Sequence, residues 1–94
     1  MIKHVVMWKF KESEKEKMQE FLNGLKSLEG QIEEIKSMQV GISLKEDNEY
    51  DAILISEFEN MEELQKYKED PRHVKVSNLC KEIRIKRTAI DFEE

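Results

Sequence analysis

Two short stretches of this chain are apolar on both faces of an extended backbone, and this constrains the fold more than any other feature. In Val5-Val6-Met7-Trp8 and in Ala52-Ile53-Leu54-Ile55 every residue is apolar. Side chains alternate along a strand, so both sides of such a strand need cover. That places the segments Ile2 to Phe10 and Tyr50 to Phe58 in the middle of a sheet. Two other segments read as edges. Met38, Val40, Ile42 and Leu44 alternate with Gln39, Gly41, Ser43 and Lys45, and the last segment, Arg84 to Phe92, is more polar.

Helical patterns lie between these strands. Ser13 with Glu16 forms a capping box ahead of Met18, Phe21, Leu22, Leu25 and Leu28, and Gly30 supplies a left-handed stop. Asn60 with Glu63 forms a second box, opening a helix through Met61, Leu64 and Tyr67. Asp70-Pro71 then restarts a helix as cap and first residue, running through Val76, Leu79, Cys80 and Ile83. The order β-α-β-β-α-β predicts one ferredoxin-like α+β domain over residues 1–94, a four-stranded antiparallel sheet with helices on one face. The other face would expose Val5, Met7, Ile53 and Ile55 as a patch of roughly several hundred Å². Burying it against a second copy would gain on the order of 10 kcal/mol before association costs. A two-fold homodimer packed sheet against sheet is therefore expected.

The charge balance excludes several functions. Sixteen Lys and Arg against 21 Asp and Glu leave a net charge of −5, which argues against a general nucleic-acid partner. Lys3, His4 and Lys9 interrupt the apolar N-terminal segment, so it reads as neither a signal peptide nor a membrane span. The lone Cys80 forms no intramolecular disulfide and fits a reducing, cytoplasmic setting. Phosphate-binding glycine loops, serine nucleophile elbows, paired redox cysteines and metal-ligand spacings are missing from the sequence, and no metal or cofactor is expected.

Three segments together carry a resemblance: the start Met1-Ile2-Lys3-His4-Val5-Val6-Met7-Trp8-Lys9-Phe10-Lys11, the Tyr67-x-x-x-Asp-Pro-x-His73-Val74 segment, and Ile90-Asp91-Phe92. In order and spacing the chain resembles the stress-responsive A/B barrel (Dabb) family along its whole length. The resemblance implies a dimeric α+β barrel. Most members have no assigned activity, and a plant polyketide cyclase of the family uses a His and a Tyr for an aldol-type ring closure. By position that pair would be His73 and Tyr67, with His4 nearby. The implied ligand pocket has Val6, Trp8, Leu22, Leu25, Leu54, Val76 and Leu79 as walls. Ala52 stands where the cyclase has another pocket histidine, and Arg84 and Arg87 stand where it has large apolar residues, which argues against the cyclase's own substrate.

The residue chemistry is consistent with proton abstraction beside a carbonyl. An imidazole titrates near ~6.5 and exchanges protons at neutral pH, while a phenol can hydrogen-bond a developing enolate. Three readings stay open: a barrel dimer that binds a small hydrophobic or aromatic ligand without turnover, a small lyase or cyclase with His73 as general base and Tyr67 as oxyanion donor, and a cofactor-free monooxygenase. Against all three stands a structural role, with His73 and Tyr67 fastening the corner between helices and Trp8 serving the core. Cavity volume behind His73 would separate them: a pocket of roughly 300 Å³ or more is ligand-sized, whereas space filled by side chains would sink both enzyme readings.

Overall fold

Strand β1, Ile2–Phe10, alternates buried and half-buried residues along its whole length. Ile2, His4, Val6, Trp8 and Phe10 are the buried set. The computed structural model describes all 94 residues. A 3-10 turn at Glu12–Glu14 leads into helix α1, Lys15–Leu28, followed by strands β2, Ser37–Ile42, and β3, Ala52–Phe58. Helices α2, Met61–Glu69, and α3, Pro71–Ile83, then precede the last strand β4, Arg84–Glu93. The sheet order is β2-β3-β1-β4 with every pairing antiparallel. The two strands that are apolar on both faces are thus the central pair, as their sequences require.

The local signals act as their chemistry dictates, with two exceptions. Asn60 Oδ1 accepts from the Glu63 amide at 2.9 Å, and Asp70 Oδ1 accepts from the Arg72 amide at 2.9 Å with Pro71 opening α3. Gly30 takes φ +89°, where glycine has no Cβ penalty. The Ser13–Glu16 box does not form: Ser13 lies inside the 3-10 turn, and α1 starts at Lys15 without a side-chain cap. Leu44 does not extend β2. Ser43 Oγ instead organises a turn, accepting from the Lys45 amide at 3.2 Å and from Asn48 Nδ2 at 3.1 Å, and Leu44 points into solvent.

All three helices lie on one sheet face. Their apolar stripes and the buried rows of β1 and β3 make a core that includes Phe10, Phe21, Leu22, Leu54 and Phe58. On the opposite face Val5, Met7, Ile53 and Ile55 stay half-buried. The β4 residues paired with Val5 and Lys3 extend that apolar face: Ile90 is 63% exposed and Phe92 41%. No helix is long and apolar enough to cross a membrane.

Candidate functional site

The site grows from one row of side chains across the sheet. In the antiparallel register His4 of β1 stands opposite Ser56 of β3 and Asp91 of β4. All three share the helix side by the two-residue period of a strand. His4 Nδ1 and Asp91 Oδ1 lie 2.5 Å apart. A neutral imidazole whose Nδ1–H donates to that carboxylate keeps Nε2 as its acceptor.

The helix layer supplies the opposite wall. A residue before proline avoids helical φ/ψ, so α2 ends at Glu69 and Asp70 is extended. The chain turns there and brings Tyr67, from the end of α2, against His73, from the first turn of α3, with ring centroids 4.3 Å apart. His73 Nδ1 lies 3.1 Å from the Lys68 carbonyl and donates to it when the ring is neutral. The corner is also fastened by Arg72, which forks onto Asp70 and donates to the Gln31 carbonyl at 2.7 Å. The Tyr67 hydroxyl fastens nothing: it is buried and has no hydrogen-bond partner.

Between the two walls lies an open-sided cavity of about 220 Å³. Its floor and sides come from Val6, Trp8, Phe21, Leu25 and Leu54. His4, Tyr67, His73 and Ser77 are its polar lining, and Lys81, Arg84 and Arg87 also border it. The volume falls short of the roughly 300 Å³ of a ligand-sized pocket, but the space is not filled by side chains.

Not every expected wall residue is there. Leu22 is buried in the core away from the cavity, and Ala52, beside Trp8, does not line it. Val76 and Leu79 border a different depression, on the outer side between α1 and α3. The reason is helical periodicity. The stripe that begins at His73 continues through Ser77 and Cys80-Lys81 to Arg84, whereas Val76 and Leu79 belong to the next face round. Phe21, Ser77, Cys80 and Lys81, which line the cavity, and Asp91, which contacts His4, are the residues that sequence reasoning missed. Phe21 stands one turn before Leu25, and the spacing from His73 marks the α3 set. No three His, Cys, Asp or Glu side chains converge into a set that would hold a metal ion.

The electrostatics keep both imidazoles uncharged at neutral pH. Burial pushes His4 below its ordinary value of 6.5 and outweighs the opposing pull of Asp91. Burial likewise lowers His73, helped by the nearby His4, Arg87 and Lys68 and opposed by the bond to the Lys68 carbonyl. Burial pushes the Tyr67 phenol upward, so it remains a protonated donor. A stability consequence follows. As pH falls below 6.5, the unfolded chain takes up protons before the folded one does, so stability is full above that pH and is lost on the way down through the folded values. The chain has only two histidines. Tm is expected to drop as the pH falls below about 6.5, and the drop should shrink in His4→Gln. A flat Tm in the unsubstituted protein would show that the rings are not held neutral.

The family model for the stress responsive A/B barrel domain matches residues 2–94. The chain belongs to that family. Solved structures place this A/B barrel chain among ferredoxin-like folds. A dimeric protein of unknown function from Bacteroides fragilis superimposes with TM-score 0.91 at 24% identity, over 99% of this chain and 95% of that one. An Arabidopsis thaliana protein gives TM-score 0.86 at 28% identity, over 100% and 95%. A Dabb family protein from Mesorhizobium loti gives 0.82 at 21%, over 99% and 95%. No curated protein matches the sequence of this A/B barrel chain.

Proposed function

We propose that this A/B barrel protein is a homodimer joined through its open sheet face, and that each helix–sheet cavity binds a small hydrophobic or aromatic carbonyl compound. The observation that carries the reading is the Tyr67 hydroxyl, buried without a partner beside two uncharged imidazoles. A buried polar group left unpaired costs about 1–3 kcal/mol, and the exceptions ask for an explanation. A ligand carbonyl oxygen supplies the missing acceptor. The dimeric solved relatives of this fold and the apolar face built on Val5, Met7, Ile53 and Ile55 support the assembly.

The His4–Asp91 contact favours a second reading, proton transfer at a carbon beside that carbonyl. With both Nδ1 atoms engaged, the Nε2 atoms are the basic positions. His73 takes the proton, Tyr67 donates to the enolate oxygen, and His4, oriented by Asp91, is a second imidazole for its return.

Side-chain NMR of His4 and His73 with a panel of small aromatic and β-keto acids tests both readings. A compound that moves both imidazole signals together, with no effect in His73→Ala, supports a site. Exchange of that compound's α-hydrogens for deuterium would show turnover. If no compound in the panel moves either ring, the cavity is structural.

A further inference from the structure

The cations at the mouth of the cavity carry information beyond its shape. Arg72 is locked to Asp70, but the chain's other two arginines, Arg84 and Arg87, both border the cavity and have no carboxylate within ion-pair distance. Lys81, in the last turn of α3 just before Arg84 opens β4, is likewise unpaired there. The chain has 21 acids against 16 bases, so available carboxylates are not scarce. The strand register places Arg87 opposite Trp8 on the helix side of β4, two residues below Ala89 and four below Asp91. This row of β4 lies at the sheet edge and is open to solvent. A ligand entering from that side meets the guanidinium groups first and the buried Tyr67 hydroxyl further in.

Resting on the binding site proposed above, we infer that this site selects carbonyl compounds that carry one carboxylate, held by Arg87 with Arg84 and Lys81 around the mouth while the carbonyl oxygen accepts from Tyr67. A guanidinium presents a planar fork that matches a carboxylate, and three like charges around one opening repel one another until an anion offsets them. The anion also brings negative charge near both imidazoles, which favours their protonated forms.

Calorimetric titration of the full-length protein with 4-oxo-4-phenylbutanoate and with its methyl ester tests this directly. The acid is expected to bind at least about tenfold more tightly than the ester, as a charge-assisted pair implies. In the double variant Arg84→Gln/Arg87→Gln the preference for the acid over the ester, both measured on that variant, should disappear, with circular dichroism confirming the fold. The acid, and not the ester, should raise the pH midpoints of the His4 and His73 NMR signals. Equal affinity for acid and ester, or a preference that survives the double substitution, overturns the carboxylate selection and leaves the cavity a binding site. Binding of neither compound nor any member of the aromatic and β-keto acid panel removes the site itself.

Discussion

Met7→Lys and Ile55→Lys should each convert the proposed sheet-to-sheet dimer to a folded monomer, with a light-scattering mass of 11.3 kDa in place of twice that value. The two residues lie near the centre of the open sheet face, where Val5 stands across from Ile55 and Met7 across from Ile53. In one protomer they are only half-buried, so a lysine has room to reach solvent and the core on the other side of the sheet is untouched. In a sheet-to-sheet dimer the same ammonium is trapped near a two-fold axis, close to its own copy. An uncompensated buried charge costs several kcal/mol, which at about 1.4 kcal/mol per tenfold weakens association by roughly a thousandfold or more. Unchanged far-ultraviolet circular dichroism would show that the protomer still folds. If both variants remain dimeric, a different surface joins the subunits.

Tyr67→Phe separates the ligand reading from a structural role in one step. The hydroxyl makes no hydrogen bond in the protein, so its removal takes away a desolvated polar atom and leaves the ring packing against Phe58 and His73 in place. Folding stability should stay the same or rise by up to about 1 kcal/mol. If the hydroxyl donates to an enolate, turnover should fall by about a hundredfold to a thousandfold, as on loss of one oxyanion donor. If the site binds without turnover, ligand affinity should fall by about tenfold. Chemical denaturation and ligand titration on the same variant read the two effects separately. A loss of stability above about 1 kcal/mol with unchanged binding would assign Tyr67 to the framework.

Much of this protein could be read from local chemistry. Asn60 and Asp70-Pro71 work as caps because a cap needs only an oxygen acceptor within three residues of the helix start. Gly30 was legible for the same reason, since a backbone sign depends on one residue. Where a local signal failed, another local interaction won. The chain entering α1 tightens into a 3-10 turn across Ser13, and Ser43 closes a turn before Leu44 can continue the strand.

The site was legible only in part. Tyr67, His73 and His4 do border one cavity, but the wall expected from Leu22, Ala52, Val76 and Leu79 is instead built from Phe21, Ser77, Cys80 and Lys81. Apolar character marked the first group as buried without saying which void they faced. Leu22 and Phe21 are neighbours in sequence and both buried, and only the docking of α1 onto the sheet makes Phe21 the one at the cavity.

By itself, the sequence determined the period of each element, and with it the central position of β1 and β3, because a strand that is apolar on both faces has no other place in a sheet. Only the tertiary structure decided that Asp91 meets His4 across 87 residues of chain. It also decided that Tyr67 keeps a hydroxyl without a partner and that Arg84 and Arg87 stand unpaired at the cavity mouth. A hydrogen-bond partner is set by strand register and by the docking of one layer on another, and those are properties of the assembled chain.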